Sequence, residues 1–269
     1  MQAPSIVFVG GGNMASALIG GLLRSGQAAP SVAVVEPLAE QRARLEQQFG
    51  VRTLAAADAS LGGAAQWVWA VKPQVFGDAA AACAGRTAGA LHLSVMAGIR
   101  CDAIARATGA ARIVRSMPNT PALIGQGIAG LYATPAVSAA ERAQVEALLA
   151  PTGRTLWVGQ EADLDAVTAL SGSGPAYVFY FIEAMLQAAQ DMGLDAAQGR
   201  ALALATFAGA TELARQSDEP VALLRERVTS KGGTTYAALT SMEADGVKAA
   251  LVKAVRAAQR RAKELGEAG

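Results

Sequence analysis

The segment Ile6-Val7-Phe8-Val9-Gly10-Gly11-Gly12-Asn13-Met14-Ala15 decides the fold of this 269-residue chain. Its first four residues are apolar, which is typical of a strand covered on both faces of a parallel sheet. The glycines have G-x-G-x-x-A spacing, in which Gly10 allows a tight turn and Gly12 lets the backbone approach a pyrophosphate. Ala15 is small enough for a helix to pack close to the strand. The segment therefore predicts a dinucleotide-binding turn at a helix N-terminus, formed by Gly10, Gly11, Gly12, Asn13 and Met14.

Short apolar runs alternate with helical stretches over the first 160 residues. After the first strand, strand-like runs occur at 32–35, 67–71, 91–95, 112–114, 128–132 and 155–158. Strands separated by helices predict βαβ units and a doubly wound parallel sheet. The fold class is therefore α/β, with an N-terminal Rossmann-type domain over residues 1–160.

From Glu161 onward the pattern becomes helical. Helical periodicity covers 175–192, 195–215, 221–228, 234–244 and 247–265. Asp195 is a predicted N-cap, while Gly193 and Gly246 are predicted helix stops. The stretch 201–211 has no charged residue, and a helix that is apolar around most of its circumference must be buried. We therefore expect residues 161–269 to form an all-α dimerisation domain that buries this helix against a second copy.

Composition excludes several functional classes. The 23 basic and 22 acidic residues give a net charge of +1, which provides no field to attract nucleic acid or an anionic membrane. Two cysteines without a CxxC motif indicate a reducing, cytoplasmic compartment, and the N-terminus lacks the basic start of a signal peptide. The single histidine, His92, lies in a strand-like run, so we expect neither a metal site nor a Ser-His-Asp triad.

The end of the second predicted strand selects between nicotinamide cofactors. Glu36 stands there, 24 residues after Gly12. An acidic side chain at this point accepts hydrogen bonds from a ribose 2′-hydroxyl and repels a 2′-phosphate. Arg42 and Arg44 in the next helix would partly offset that repulsion, although such arginines are more often solvated surface charges.

Other predicted strands also end in polar or flexible residues. Ala70-Val71-Lys72-Pro73-Gln74 should flank the nicotinamide ribose, since ligands of open α/β sheets bind outside the carboxyl ends of strands. Lys72 could instead be an ordinary surface lysine. The segments 94–98 and 115–121 end the next two strands and contribute Ala97, Gly98 and Asn119.

The segment Ser230-Lys231-Gly232-Gly233-Thr234-Thr235 precedes a predicted helix in the second half. Glycines and hydroxyls at a helix N-terminus form a nest of backbone N–H groups that suits a carboxylate. Thr235 or Ser230 could also bond a ring nitrogen. The alternative is a flexible N-cap turn without a ligand.

These residues together resemble the pyrroline-5-carboxylate reductase family. The resemblance covers almost the whole chain and rests on five motifs in the family's order, at 10–14, 70–74, 117–121, 170–177 and 228–235. It implies NAD(P)H-dependent reduction of an imine to proline, with the nicotinamide near Lys72, Ala97 and Asn119. It also implies a homodimer, often five dimers in a decamer.

The resemblance further implies a substrate site completed by the partner subunit. The carboxylate and nitrogen of the substrate would be held by the loop residues Ser230, Gly232, Gly233, Thr234 and Thr235. Glu161 would lie near the substrate. Because an iminium carbon is already electrophilic, positioning can supply most of the acceleration. We expect Thr235 to orient the nitrogen and not to act as a general acid, because an unactivated hydroxyl has an unsuitable pKa.

Two positions depart from the NADPH-preferring family members. Glu36 and Ala57 replace residues that would contact the 2′-phosphate. We therefore predict that NADH is used at least as readily as NADPH.

Two other functions remain open on the sequence alone. A β-hydroxyacid dehydrogenase or imine reductase has a related layout, but would place a Lys or Asp on the first long helix of the second domain. The helix here offers only Glu183 and Asp191 as ionisable acids. A non-catalytic nucleotide sensor is the other alternative, although the motifs at 117–120 and 232–235 are intact.

Overall fold

The computed structural model describes residues 4–267 and confirms the α/β class. Within those residues, eight strands form one sheet with the order β3-β2-β1-β4-β5-β6-β7-β8. The strands are β1 (Ile6–Val9), β2 (Val32–Val35), β3 (Arg52–Leu54), β4 (Gln66–Trp69), β5 (Leu91–Ser94), β6 (Ile113–Met117), β7 (Gly127–Ala133) and β8 (Gly153–Trp157).

The sheet departs from the predicted parallel arrangement at one pair. β6 and β7 are antiparallel, whereas the other neighbours are parallel. Only a short 3₁₀ turn at Thr120–Ile124 interrupts the connection between them. A parallel return needs a crossover of a dozen or more residues, usually a helix, so this short connection brings the chain straight back.

Both faces of the sheet are covered. Phe8, Val34 and Val68 belong to the core on one face, while Val7 and Trp67 belong to the core on the other. The alternation of neighbouring residues between the two cores follows from the two-residue period of a strand. The fully apolar first strand therefore reflects burial from both sides.

The helices of the first compact unit alternate with the strands. They are α1 (Asn13–Arg24), α2 (Ala39–Phe49), α3 (Phe76–Ala82), α4 (Cys101–Thr108), α5 (Ala139–Leu149) and α6 (Asp163–Val167). This unit comprises residues 4–173 and 258–267 of the described chain. A π-helical segment, Thr168–Gly172, follows α6.

The second compact unit, residues 174–257, is helical. It contains α7 (Gly174–Asp191), α8 (Ala196–Gln216), α9 (Val221–Arg227), α10 (Thr234–Ala244) and the start of α11 (Val247–Glu267). Asp195 caps α8 through a reciprocal capping box with Gln198, as its position predicts. Gly193 and Gly246 adopt φ values of +88° and +65°, which suit helix ends.

The helical unit leaves large apolar side chains uncovered in a single chain. Phe179 is 60% exposed, Leu202 58% and Leu213 60%. Large apolar side chains exposed in such number are typical of a protein interface. It agrees with the expectation that α8 is buried against a second copy.

His92 is a buried residue of β5. The Trp69 indole N–H donates to His92 Nδ1 at 3.0 Å, and His92 Nε2 lies 3.4 Å from the Thr87 carbonyl oxygen. Burial lowers the pKa of His92 to about 4, so the ring is neutral at physiological pH. Its place in the sheet core agrees with the sequence interpretation of an ordinary strand residue.

Candidate cofactor and substrate site

The turn after β1 has the backbone geometry that its glycines predict. Gly10 adopts φ +94°, and a Cβ there would lie 2.6 Å from the Ala70 carbonyl oxygen. Any side chain would therefore be both strained and obstructed at this position. A Cβ at Gly12 would meet nothing within 4 Å. The backbone therefore packs tightly against the end of β4 at Gly10, whereas the space beside Gly12 is open to solvent.

The open side of the turn is the N-terminus of α1. Gly12 is the N-cap and supplies no side-chain acceptor. The N–H groups of the first turn, including those of Asn13 and Met14, have no acceptor within the helix. Together with the helix dipole they favour an anion. The residues present therefore fit the pyrophosphate of a dinucleotide.

A cleft of about 530 Å³ extends from this turn along the carboxyl ends of β1, β2 and β4. Its lining includes several predicted cofactor residues, namely Gly10, Gly11, Gly12, Glu36, Ala70, Val71 and Lys72. Ala57 also lines the cleft. The structure therefore brings together most of the residues that we expect to hold the cofactor.

Glu36 is buried at the end of β2, where it supports the glycine turn. The Gly11 N–H donates to Glu36 Oε2 at 2.9 Å, and the Leu38 N–H donates to Oε1 at 3.0 Å. Both carboxylate oxygens therefore accept a backbone N–H. These bonds fix a negative charge in the wall of the cleft, at the point where a ribose 2′ substituent is expected.

Arg42 is anchored beside this charge. Its Nη1 donates to the carbonyl oxygens of Glu36 at 2.9 Å and Pro37 at 2.7 Å. The guanidinium is therefore held at the end of β2, whereas Arg44 is an exposed residue of α2. Of the two predicted cations, Arg42 has the position from which to offset the charge of Glu36.

The remaining predicted cofactor residues follow neighbouring strands. Pro73 begins a 3₁₀ turn after Lys72, Ala97 and Gly98 follow β5, and Asn119 follows β6. Asn119 Oδ1 accepts the Ile128 N–H at 3.0 Å, so its amide N–H groups are the donors left for a ligand. Because β4, β5 and β6 are parallel neighbours, these residues lie along one edge of the sheet.

The predicted substrate loop forms a tight turn before α10. Gly232 has φ +74°, and a Cβ at Gly233 would lie 2.6 Å from Ser230 Oγ. Gly233 is the N-cap, so no side chain caps the first-turn N–H groups of Thr234 and Thr235. Thr234 is exposed and Thr235 half-buried. The turn therefore presents an open helix N-terminus suited to a carboxylate.

Glu161 has partners within its own compact unit. Its Oε1 accepts the Cys101 N–H at 2.7 Å and pairs with Arg115 Nη1 at 2.8 Å. The contact of Glu161 with a substrate stays a prediction.

Comparison with known proteins agrees with this geometry. Residues 161–265 match a family model described as pyrroline-5-carboxylate reductase dimerisation, and residues 5–98 match one described as NADP oxidoreductase, coenzyme F420-dependent. A pyrroline-5-carboxylate reductase of Pseudomonas aeruginosa is 42% identical, over 99% of this chain and 98% of the relative. The chain belongs to the pyrroline-5-carboxylate reductase family.

Solved structures support the same assignment. The pyrroline-5-carboxylate reductase of Coxiella burnetii has a TM-score of 0.90 and 33% identity, with 98% of each chain covered. The Plasmodium falciparum pyrroline carboxylate reductase, solved with NADP bound, has a TM-score of 0.87 and 28% identity, with 99% of each chain covered.

As a member of the pyrroline-5-carboxylate reductase family, the chain is an NAD(P)H-dependent oxidoreductase that reduces 1-pyrroline-5-carboxylate to L-proline in proline biosynthesis. Its helical region is the dimerisation domain of that family, through which the chain oligomerises. No helix within residues 4–267 combines the length and apolarity needed to cross a membrane.

Sequence reasoning missed the supporting contacts of the site. The bonds from Gly11 to Glu36 and from Arg115 to Glu161 join residues 25 and 46 positions apart. One of these contacts had a signal in the sequence. Arg115 is a charged residue in a mostly apolar strand, and a buried charge needs a partner.

Proposed function

We propose that the turn at Gly10–Met14 binds the dinucleotide and that the loop at Ser230–Thr235 binds the substrate carboxylate. The open N-terminus of α10, with a glycine N-cap, is the observation that supports the substrate assignment. In this proposal a second copy of the chain contributes the loop. We also propose that the functional division falls after residue 160. The family match to the dimerisation domain begins at residue 161, whereas the two compact units divide after residue 173 and residues 258–267 belong to the first unit.

The reaction needs few side-chain groups. When bound, the reduced nicotinamide supplies a hydride to the imine carbon, and the C=N electron pair passes to the protonated nitrogen, which becomes the amine of proline. The nicotinamide end of the cofactor would be oriented by the residues that follow β4, β5 and β6, namely Lys72, Pro73, Ala97, Gly98 and Asn119. Thr235 hydrogen-bonds the substrate nitrogen and fixes the imine carbon in line with the donor. An iminium ion needs no further polarisation.

We further propose that the enzyme uses NADH at least as readily as NADPH. The buried carboxylate of Glu36 repels a 2′-phosphate, and Ala57 provides no hydrogen bond to it. The test is kcat/KM for each cofactor at saturating pyrroline-5-carboxylate. We expect a ratio of NADPH to NADH at or below one, and a ratio above about ten would contradict the proposal.

The matched variants are Glu36→Ser and Glu40→Ser. The first removes the fixed carboxylate and should raise the NADPH-to-NADH ratio several-fold. The second removes an exposed acid in the first turn of α2 and should leave the ratio unchanged. Equal changes of the ratio in both variants would mean that the overall charge of the chain, and not Glu36, sets the cofactor preference.

Dimers of this chain assemble further into a decamer in our proposal, as the resemblance implies. Sedimentation should give the mass of ten chains, and a dimer mass would contradict this.

We also propose a cytoplasmic location. Cys83 and Cys101 are free and buried, and burial raises the pKa of the Cys83 thiol to about 11, as suits thiols kept reduced.

A further inference from the structure

Residues 95–100, which connect β5 to α4, are held in place by distant parts of the chain. We call these residues the β5–α4 loop. Ala97 and Gly98 within it are proposed to contact the nicotinamide. Gly98 has φ +78°, so the loop makes a turn that favours glycine. Three contacts from distant parts of the chain reach the loop or the residue that follows it.

The first contact is made by Glu161, from the connection between β8 and α6. A single oxygen, Oε1, accepts the Cys101 N–H at 2.7 Å and the Arg115 Nη1 at 2.8 Å. Cys101 is the first residue of α4, directly after the loop. The side chain of Arg115 is only 6% exposed. Glu161 therefore joins the end of the loop to the buried strand β6 by two charge-assisted hydrogen bonds.

The second contact is the ion pair of Arg100 with Asp165. Arg100 Nη2 lies 2.9 Å from Asp165 Oδ2, and the two side chains are 21% and 11% exposed. Asp165 belongs to α6, which begins two residues after Glu161. The same short segment therefore anchors Arg100, the last residue of the loop, and Cys101, which follows it.

The third contact is the end of α11. A Cβ at Gly98 would lie 3.3 Å from the Leu265 carbonyl oxygen, and a Cβ at Gly266 would lie 2.9 Å from Arg100 Nη2. The last turn of α11 thus packs directly on the loop, and glycine at 266 leaves room for the guanidinium. This turn belongs to the same compact unit as the loop.

We propose that Glu161, Arg100 and the last turn of α11 are positioning elements that hold the β5–α4 loop in the conformation that orients the nicotinamide. This inference rests on the proposed function of Ala97 and Gly98. It gives Glu161 a supporting role in the cofactor site, because its Oε1 accepts two donors from its own subunit. A small displacement of a positioned reactant lowers the reaction rate substantially, so the loop needs rigid support.

The test compares NADH with ADP-ribose, which lacks the nicotinamide. The adenine half of the cofactor is proposed to bind near Glu36, beyond the reach of the β5–α4 loop. In Glu161→Gln, the Kd for NADH should rise about tenfold and kcat should fall about tenfold, while the Kd for ADP-ribose stays within about twofold. Glu40→Gln is the matched control, because Glu40 is an exposed acid in the first turn of α2 and belongs neither to the loop nor to the segments that support it. It should behave as the wild type.

A second variant decides the question if Glu161→Gln does not fold. A chain ending at Glu264 lacks Leu265 and Gly266 but keeps every residue of the loop. It should show the same selective loss of NADH affinity. Unchanged NADH affinity in this shortened chain would overturn the proposal, as would an equal loss of ADP-ribose affinity.

A different result would indicate that Glu161 contacts the substrate. A higher KM for pyrroline-5-carboxylate in Glu161→Gln, with an unchanged Kd for NADH, would overturn the positioning role. Since both Kd values are measured without substrate, they test the loop support even if the wild type fails to reduce pyrroline-5-carboxylate. That failure would contradict only the proposed function.

Discussion

Thr235 is the side chain to which we assign the closest contact with the substrate nitrogen. Thr235→Val keeps the shape and removes the hydroxyl, so kcat/KM should fall by roughly 10–100-fold, the equivalent of one or two hydrogen bonds. The control is Thr240→Val in the same helix, where the hydroxyl donates to the Tyr236 carbonyl oxygen. Steady-state kinetics measure both. An unchanged kcat/KM in Thr235→Val would remove this residue from the mechanism.

His92 should make stability depend on pH. Its pKa is about 4 in the folded chain, against 6.5 when exposed, so below pH 6.5 the unfolded chain binds a proton that the folded chain does not. The free energy of unfolding should therefore decrease as pH falls from 6.5 towards 4, by about 3 kcal/mol over the whole window.

Chemical denaturation at pH 7 and at about pH 4.5 tests this at one protein concentration. The variant His92→Gln keeps an acceptor for the Trp69 indole but does not titrate. Its loss of stability between the two pH values should be smaller than that of the wild type. Equal losses in the two proteins would mean that His92 protonates as easily in the folded chain as in the unfolded one.

At the scale of elements, the turn before α10 should depend on glycine at 233. A Cβ there would lie 2.6 Å from Ser230 Oγ and 3.2 Å from the Ser230 carbonyl oxygen, so Gly233→Ala must open the turn. The KM for pyrroline-5-carboxylate should rise about tenfold or more, since the backbone N–H groups lose their alignment. The Kd for NADH should not change.

Gly159→Ala is the control for that substitution, because a Cβ at Gly159 meets nothing within 4 Å. It should leave both constants unchanged. If Gly233→Ala instead weakens NADH binding and leaves KM unaltered, the turn before α10 does not bind the substrate.

Local pattern predicted the elements that are long or strongly marked. The apolar runs of β1 and β2 and the capped start of α8 lie where periodicity and Asp195 indicate. β3 was missed, because three half-buried residues are too few to show a period. The antiparallel return of β7 was missed because strand direction depends on the length and path of the connection, which apolar patterning does not report.

The site was predictable only in part for a related reason. Glycine spacing at 10–12 and 232–233 reports local backbone geometry, so the sequence predicted both turns. The contacts of Glu36 with Gly11, and of Glu161 with Arg115, bring distant segments together. Such contacts depend on the order of strands in the sheet and not on neighbouring residues.

At the scale of the whole molecule, the two compact units have different surfaces. The sheet unit buries apolar side chains on both faces, whereas the helical unit exposes Phe179, Leu202 and Leu213 in a single chain. This exposed area explains why the family's dimerisation domain coincides with the helical region. We therefore expect folding of this region to be coupled to assembly, so that stability rises with protein concentration.

The central claim is that this chain reduces pyrroline-5-carboxylate to proline with a nicotinamide cofactor. The most direct measurement follows the fall in reduced-nicotinamide absorbance when the pure protein is mixed with pyrroline-5-carboxylate, with NADH and NADPH in parallel. We expect oxidation of the cofactor with one proline formed for each molecule consumed, at least as rapid with NADH as with NADPH. A folded protein that binds either cofactor but oxidises neither would contradict the account.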